Sequence, residues 1–399
     1  MISVAEARAL ILKEARSFGV EKIALEKSVG RVLAQSVVAD RDYPPFNRSV
    51  MDGYAVMAED YAPGQDYRIE ATVHAGDAPL RGMKVTNLSA VKIMTGAAVP
   101  TPYNAVIRRE DAEEKGGHVR FAVAAIKSGE NISKQGEDLK KKDRILIQGR
   151  RIDNATLGLL ASLGIHRPQV SRLPTVELLS TGNEVVSPSQ KPGPTQIRNS
   201  NAYALRSLLA DLGITGFRAQ HVADDPQKLK MRIKAATGDI LMLTGGVSAG
   251  DTDYVPEVLQ SLGYKKIFHK VAMKPGKPLW FGAKGKKKVF AIPGNPLSCQ
   301  VIFRIFVEPF LRRSFGMPDA LPLRLPLAEA RRKKDTLENF FPVKIASVPG
   351  SVSTLSQLPY NGSGDIRAAL FSDGLAVHPA ATSELAMGAI VDFYPWRAL

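Results

Sequence analysis

The chain has 399 residues, 44% of them hydrophobic and 23% charged, a composition typical of a soluble protein with about two to four domains. Its single cysteine, Cys299, excludes internal disulfides and cysteine-based zinc clusters, and its six histidines form no HExxH motif. No stretch approaches about 18 consecutive apolar residues, and the N-terminus lacks the basic start and apolar block of a secretory signal. We therefore expect a cytoplasmic protein that does not span a membrane.

The formal net charge of +15 raises the question of a polyanionic partner, because nucleic acid, membrane surfaces and small anions are all attracted by such a field. The densest positive run is KKIFHKVAMKPGKPLWFGAKGKKK, residues 265 to 288, with nine lysines and no acidic residue. Lysine keeps edge strands soluble, and no nucleic-acid-binding module accompanies the run. We expect neither nucleic acid nor a membrane as a partner.

Two helical segments flank a β-rich stretch in the first part of the chain. Ser3 and Glu6 form a capping-box pattern followed by apolar residues at helical spacing, which predicts an N-terminal helix. A second helix is predicted from Asn154, as its N-cap, to Gly164. Residues 66 to 150 contain short β-prone runs such as AVKIM (90–94) and NAVIRRE (104–110), which indicate an inserted β-rich module.

From residue 173 onward, predicted strands alternate with predicted helices. The strands are expected at 175–180, 217–223, 239–244 and 288–292, and the helices at 200–213, 225–236, 255–263 and 295–314. This alternation predicts a mainly parallel sheet with helices on both faces. After residue 318, short strands separated by proline and glycine predict a small β-domain.

Three glycine-containing loops follow predicted strands and should share one edge of the sheet. They are STGNE (180–184), TGGVSAGDTD (244–253) and PGNPLS (293–298). Such loops suit phosphate or another oxyanion, although each one alone is also typical of a tight turn. The absence of GxxxxGK[ST] and GxGxxG from the three argues against a P-loop and a dinucleotide fold. In the third loop, Asn295 can cap the next helix and Pro296 can occupy its first turn.

Carboxylates stand at the same sheet edge as these loops: Glu184, Asp224, Asp251 and Asp253. Because carboxylates repel a phosphate unless a cation intervenes, we expect Mg²⁺ there. Helix capping is the alternative role for Asp224, ahead of Pro226, and for Asp251. Lys274 and Lys277 lie in the rigid turn KPGKP, which suits a small tetrahedral oxyanion.

Together these motifs resemble one family. MDGYA (51–55), MTGAAVP (94–100), GEDL (136–139), STGNE, SN (200–201), DD (224–225), TGGVSAGDTD, KPGKP and PGNP stand in the order found in molybdopterin molybdenumtransferases. These are the molybdenum insertases, related to the C-terminal domain of gephyrin. The resemblance runs from about residue 3 to 317, with weaker support from GSGD (362–365) in the tail.

The resemblance implies a Mg²⁺-dependent transferase that inserts molybdate into adenylylated molybdopterin and releases AMP and molybdenum cofactor. It also implies a homodimer whose active site is completed by the N-terminal part of the other subunit. A molybdopterin adenylyltransferase and molybdoenzyme maturation proteins are the expected partners. Two alternatives remain: an adenylyltransferase, which would resemble only residues 173–317, and a non-catalytic gephyrin-like scaffold.

The implied fold is multidomain α/β plus β. A discontinuous helical domain covers 1–22, 40–50 and 138–172, with a β-rich inserted domain at 23–39 and 51–137. A three-layer α/β molybdopterin-binding domain covers 173–317, and a C-terminal β-barrel domain covers 318–399.

The resemblance also assigns roles to individual residues. The implied catalytic residues are Asp52, Thr95, Asp138, Glu184, Asp224 and Asp253. The implied binding residues are Gly182, Gly245, Gly246, Ser248, Lys270, Lys274, Lys277, Pro293, Pro296 and Ser363. The implied Mg²⁺ ligands are Asp251 and Asp253, singly or together.

The sequence departs from the family pattern in places. Asn183 stands where the family has an acidic residue, which removes one charge beside Glu184, and no arginine of the tail can be assigned to molybdate. Asp52 has an alternative role as a turn residue, with its carboxylate accepting from backbone amides ahead of Gly53.

Overall fold

The computed structural model describes residues 1–80, 85–247, 254–347, 350 and 352–397. The chain forms two compact units, one of Met1–Gln35 with Gln148–Leu399 and the other of Ser36–Ile147. None of the described helices is long and apolar enough to cross a membrane. The finer division into four domains stays a prediction.

The helices fall close to their predicted positions. In the described ranges they are α1 (Val4–Lys13), α2 (Asn154–Ser162), α3 (Asn201–Asp211), α4 (Pro226–Ala235), α5 (Val255–Ser261), α6 (Pro296–Ile302), α7 (Glu308–Ser314) and α8 (Ala368–Phe371). Single 3-10 turns occur at Leu25–Lys27, Arg109–Asp111 and Gly362–Gly364. A π-helical turn, Phe303–Val307, joins α6 and α7, so the helix predicted at 295–314 is continuous.

The helix starts show the expected capping chemistry with one shift. Ser3 Oγ accepts the amide of Glu6 at 3.1 Å and Glu6 Oε2 accepts the amide of Ser3 at 2.8 Å, which confirms the capping box. For α2, the prediction of Asn154 as N-cap was wrong. Asp153 is the cap, because its Oδ1 accepts the amide of Thr156 at 2.8 Å.

Strand β1 (Val20–Lys22) belongs to the first unit, and the next ten strands belong to the second. These are β2 (Val37–Val38), β3 (Arg48–Ser49), β4 (Gly53–Val56), β5 (Asp66–Val73), β6 (Ser89–Ile93), β7 (Ala105–Arg108), β8 (Ala112–Lys115), β9 (His118–Phe121), β10 (Ile132–Ser133) and β11 (Arg144–Leu146). One sheet has the order β7-β4-β6-β5-β9-β8, and β3 pairs with β10 and β2 with β11. The β-prone runs at 90–94 and 104–110 are β6 and β7.

A second sheet, in the first unit, is mainly parallel, as predicted. The next strands along the chain are β12 (Gln169–Ser171), β13 (Val176–Thr181), β14 (Val185–Val186), β15 (Ile197–Arg198), β16 (Phe217–Val222), β17 (Ile240–Thr244), β18 (Lys265–His269), β19 (Met273–Lys274), β20 (Trp280–Lys284) and β21 (Lys287–Ile292). The order is β16-β13-β17-β21-β20-β18. The first four strands are parallel, and β20 is antiparallel to both of its neighbours, β21 and β18. The carboxyl ends of the four parallel strands therefore share one edge.

Helices cover both faces of this parallel sheet. Leu178, Met242 and Phe290 face a core shared with α1, α3, α6 and α7. Leu179 and Leu243 face a second core shared with α4 and α5. Adjacent residues of a strand point to opposite layers, which explains why these strands are apolar runs without alternation.

The C-terminal part of the first unit is a closed β structure. Its strands are β22 (Leu323–Pro326), β23 (Arg331–Arg332), β24 (Glu338–Ala346), β25 (Thr354–Gln357), β26 (Gly374–His378), β27 (Glu384–Leu385) and β28 (Ile390–Pro395). The main path is β19-β24-β26-β28-β22, with β25 on the other side of β24. A bridge between Leu327 and Leu355 connects the end of β22 to β25, so the sheet closes as the predicted β-barrel.

Candidate active site

Asn183 and Asp224 tie together two loops at the carboxyl edge of the parallel sheet. The amide of Asn183 donates to Asp224 Oδ2 at 3.0 Å, and the amide of Asp224 donates to Asn183 Oδ1 at 3.1 Å. His221 adds a third bond, because its Nε2–H donates to the carbonyl of Gly182 at 2.8 Å. These bonds hold the loop that presents the exposed Glu184.

The alternative prediction, that Asp224 caps the helix at Pro226, was wrong. Asp225 is the cap of α4, and its Oδ1 accepts the amides of Gln227 at 2.9 Å and Lys228 at 3.0 Å. The extended backbone at Asp225 aims its carboxylate at the first helical turn, and Asp224 remains with the loop of Asn183. The two adjacent acids therefore have different structural roles.

Gly245 lies where the loop after β17 passes against the loop after β13. Its φ is 88°, and a Cβ there would lie 2.8 Å from Thr181 Oγ1 and 2.9 Å from Thr181 O. Only glycine fits both the left-handed backbone and the close approach. The amide of Gly245 donates to Ile292 O at 3.0 Å, so the ends of three parallel strands meet here.

Asn295 connects the loop after β21 to the C-terminal barrel. It stands at the N-cap position of α6 and Pro296 occupies the first turn, but the side chain of Asn295 makes no capping bond. Instead its Nδ2 donates to Ser363 Oγ at 2.8 Å. The predicted N-cap position of Asn295 is therefore confirmed. The predicted capping bond was wrong, because the side-chain amide points toward the barrel.

The KPGKP turn joins the same region to the barrel through Lys274. Lys274 is the last residue of β19, which pairs with β24, and its Nζ lies 3.3 Å from Asp335 Oδ2. Gly276 has a φ of 106°, and a Cβ there would meet Ile302 Cγ1 at 3.0 Å. This packing leaves Lys274 and Lys277 exposed on the same short turn.

A cavity of about 710 Å³ lies among these loops. Seven of the predicted site residues line it: Glu184, Gly245, Gly246, Lys274, Lys277, Pro293 and Ser363. Asp335 and Tyr360 of the barrel line it as well. Gly182, Asp224, Lys270 and Pro296 do not line the cavity. Gly182 and Asp224 support the loop of Glu184, and Pro296 begins α6.

Charges of both signs face this Glu184 cavity. Partial burial raises the pKa of Asp335, but hydrogen bonds from Asn339, Leu337 and Lys274 outweigh burial and hold that pKa below its ordinary value. Asp335 is therefore an ionised partner for Lys274 at neutral pH. Two exposed lysines and the carboxylates of Glu184 and Asp335 therefore line one cavity, a lining that can bind an anion and can also accept from N–H donors.

Three protein-family models match successive parts of the chain. Residues 2–164 match the MoeA N-terminal region (domain I and II), and residues 177–313 match a probable molybdopterin binding domain. Residues 324–396 match the MoeA C-terminal region (domain IV).

Full-length relatives decide the family. A molybdopterin molybdenumtransferase from Synechocystis sp. is 32% identical over 403 residues, covering 99% of the chain and 100% of the relative. The chain belongs to the molybdopterin molybdenumtransferase family. A family member from Synechococcus elongatus is 34% identical over 409 residues, covering 98% of the chain and 99% of the relative.

Solved structures of molybdopterin biosynthesis MoeA proteins confirm the multidomain fold. Two from Pyrococcus horikoshii have TM-scores of 0.85 and 0.81 at 30% and 26% identity. The first comparison covers 100% of both chains, and the second covers 98% of this chain and 99% of the other.

In the second unit, Asp52 and Thr95 bond directly to each other. Asp52 Oδ1 accepts the amide and the hydroxyl of Thr95, both at 2.7 Å. These two bonds, the amide first, hold the pKa of Asp52 below its ordinary value. The local-turn alternative for Asp52 was wrong, because its donors come from a residue far along the chain. The motifs MDGYA and MTGAAVP therefore meet at the exposed carboxylate of Asp52.

The remaining predicted residues are less connected. Asp138 is exposed, and its amide donates to Tyr43 O at 3.0 Å. Lys270 is half-buried beside the KPGKP turn. Ser248, Asp251 and Asp253 lie outside the described residues, and so does the alternative capping role of Asp251. No group of three or more metal-ligating side chains occurs within the described ranges.

Three barrel residues were not predicted from the sequence: Asp335 and Tyr360, which line the cavity, and Arg331, which interacts with both. Burial lowers the pKa of Arg331, which lies 4.0 Å over the ring of Phe341 and interacts with Tyr360 and Asp335. Arg331 and Asp335 bound the run RRKKD, whose composition is typical of a solvated surface. Nothing in that run indicated a cavity, because its neighbours come from distant parts of the chain.

Proposed function

We propose that this molybdenumtransferase inserts molybdate into adenylylated molybdopterin and releases AMP. The observation that carries the proposal is the Glu184 cavity, in which two lysines of the KPGKP turn face carboxylates and a glycine turn. The type of reaction is inferred from the family, and the residues proposed to carry it out are those that line the cavity.

The lysines are the proposed molybdate site. Molybdate is a tetrahedral dianion, and two ammonium groups on one short turn can neutralise both of its charges. Asp335 holds Lys274 at 3.3 Å, so we infer that this ammonium exchanges its carboxylate for the arriving oxyanion. Ser363, already bonded to Asn295, offers a hydroxyl on the barrel side.

Glu184 is the proposed pterin anchor. An ionised carboxylate accepts hydrogen bonds in pairs, which suits the adjacent N–H groups of a pterin. Asn183 and Asp224 hold its loop through their two mutual bonds. The turn at Gly245 and Gly246, with Ser248, is the proposed place of the phosphate, since glycine lets backbone amides approach an anion.

Mg²⁺ is proposed as the metal that the reaction requires. Mg²⁺ commonly binds through one or two carboxylates together with substrate phosphates, so a complete protein cage is not needed. The chemistry of Asp224 and Glu184 at this edge fits that pattern, and Asp251 and Asp253 are the proposed ligands. When bound, the metal would neutralise phosphate charge as the adenylate linkage breaks.

The decisive experiment supplies adenylylated molybdopterin, Mg²⁺ and a series of molybdate concentrations to the purified chain. AMP release that rises with molybdate and yields active cofactor supports the proposal. If no AMP appears at any molybdate concentration, the insertase proposal fails. Formation of adenylylated molybdopterin from ATP and molybdopterin would favour an adenylyltransferase, although the matched regions outside 177–313 argue against it.

We also propose a cytoplasmic homodimer that exchanges substrate and product with an adenylyltransferase and with molybdoenzyme maturation proteins. Asp52, Thr95 and Asp138 would then act with the Glu184 cavity of the other subunit. Mixing inactive Asp52→Asn and Glu184→Gln proteins should restore about a quarter of the wild-type activity through hybrid dimers. Recovery that is absent despite confirmed subunit exchange would contradict the shared site.

A further inference from the structure

A second charged cavity, of about 210 Å³, lies where α1, the α6–α7 segment and strands β22 and β28 meet. None of its lining residues lines the Glu184 cavity. Its charged lining consists of Arg8, Arg304, Arg312 and Glu308, and most of its other wall is apolar. We call it the arginine cavity.

One face of the α6–α7 segment supplies two of the three arginines. Arg304, Glu308 and Arg312 are spaced four residues apart, which places their side chains on one side of a helix. Glu308 is buried, and its Oε2 accepts from Arg304 Nη1. This pair leaves one acid against three guanidinium groups, so the charged lining has a net charge of about +2.

The donors of these arginines are incompletely used. The Nε–H groups of Arg304 and Arg312 are both buried and have no hydrogen-bond partner among the described residues. Among the described residues, the one hydrogen bond found for Arg312 Nη2 is a long one, to Pro318 O at 3.4 Å. Buried guanidinium donors ordinarily have acceptors, so this concentration of unused donors indicates an anionic ligand.

Arg8 brings the third guanidinium from α1. Burial raises the pKa of Tyr394, and the interaction of its hydroxyl with Arg8 offsets only part of that rise. The buried Pro309 and the half-buried Tyr394 and Pro395 form part of the remaining wall, and Leu321 and Leu323 lie at its solvent-exposed side.

We propose that the arginine cavity binds a small tetrahedral oxyanion with two negative charges, of the phosphate class. The net charge of the lining matches a dianion, and guanidinium groups bind phosphate through paired N–H donors. The cavity volume of about 210 Å³ equals that of about seven water molecules in the liquid, which is enough for a phosphate with a small substituent. The bound anion ties α1, α7 and the barrel together within one compact unit.

The test is titration of the full-length chain with inorganic phosphate at constant ionic strength, followed by calorimetry and thermal unfolding. Lys274→Ala and Lys277→Ala are introduced first, so that the Glu184 cavity does not compete. We expect millimolar binding and a rise in Tm with phosphate, because a ligand that binds only the folded state stabilises it.

Arg8→Gln and Arg312→Gln, added singly to that background, should each weaken phosphate binding about tenfold or more. Arg313→Gln is the matched control: it removes the same charge from the next position of α7, where the side chain pairs with Asp319 at 2.9 Å. The phosphate affinity of the Arg313→Gln protein should stay within about twofold of that of the background protein. Equal weakening by Arg313→Gln and Arg312→Gln would overturn the proposal, since the effect would then be general surface charge.

Further titrations identify the source of the anion. Sulfate or molybdate binding with the same sensitivity to Arg312→Gln supports a general tetrahedral site, and tighter binding of AMP supports a nucleotide phosphate. Acetate binding as tightly as phosphate would overturn the phosphate class in favour of a carboxylate ligand. Unchanged Tm values of the variants in chloride exclude misfolding as the cause, and density for phosphate between the arginines in soaked crystals provides an independent readout.

Discussion

Asn183 and Asp224 hydrogen-bond to each other in both directions, each through its own amide and its own side-chain oxygen. The pair joins the loop after β13 to the loop after β16, so the position of Glu184 depends on a residue that follows a different strand. The departure from the family at Asn183 keeps this bond, because an amide oxygen accepts as a carboxylate oxygen does.

The neighbouring acids Asp224 and Asp225 should respond oppositely to mutation. Asp225→Ala should lower the free energy of unfolding by about 1 kcal/mol through loss of the α4 cap, with AMP release nearly unchanged. Asp224→Ala should reduce AMP release about 100-fold, because it releases the loop that presents Glu184. Its loss of stability should be smaller, because its bonds are exposed. Urea unfolding and AMP assays on both variants check this, and a reversal of the two effects would contradict the assigned roles.

Lys274→Ala should raise the molybdate concentration needed for half-maximal AMP release by about tenfold or more, with pterin binding largely unchanged. The reason is that Lys274 lines the Glu184 cavity and pairs with Asp335, on the molybdate side of our proposal. Lys284→Ala is the control from the same lysine-rich segment. Lys284 does not line the Glu184 cavity, and its Nζ donates to Leu262 O at 2.7 Å. Equal loss of molybdate and pterin binding in Lys274→Ala would place this lysine on the pterin phosphate.

Thr95→Val should move the acid limb of the pH–activity profile to higher pH. The amide and then the hydroxyl of Thr95 hold the pKa of Asp52 below its ordinary value, and valine removes the hydroxyl donor. Asp52 would then become protonated at a higher pH, so activity should fall earlier as the pH drops. Thr72→Val, on the exposed surface of β5, should leave the profile unchanged. An unshifted profile in Thr95→Val would mean that Asp52 does not control the acid limb.

The predictable part of the site follows from strand ends. Apolar runs without alternation indicated β13, β17 and β21, and parallel strands bring their carboxyl ends to one edge. The gathering of Glu184, Gly245 and Pro293 at one cavity could therefore be inferred without coordinates.

Single-residue positions and distant contacts could not be inferred in this way. Asp153 and Asn154, like Asp224 and Asp225, both fit the capping pattern, and only backbone geometry selects one of each pair. The contact of Lys274 with Asp335 depends on the pairing of β19 with β24, to which no local pattern points.

The ion pair between the buried Lys288 and the half-buried Glu14 offers a stability test of the first unit. Lys288 Nζ lies 2.5 Å from Glu14 Oε2, with the lysine side chain 8% exposed and the glutamate side chain 33% exposed. Glu14→Gln should cost about 2 kcal/mol, because it leaves a buried ammonium without a counter-charge, whereas Lys288→Met should stay within about 1 kcal/mol of wild type. Glu384→Gln, which breaks the exposed pair with Arg332, should change stability by less than about 0.5 kcal/mol.

The same pair predicts how the difference depends on pH. The hydrogen bond from Lys288 holds the pKa of Glu14 below its ordinary value, against the raising effect of burial. The contribution of the pair is therefore complete above the pKa of the unfolded chain and is lost as the pH falls through the lower folded value. Wild type and Glu14→Gln should differ most near neutral pH and converge in acid, as measured by urea unfolding across that range. A difference that stays constant with pH, or a Lys288→Met protein less stable than Glu14→Gln, would show that packing and not charge pairing sets the stability of this contact.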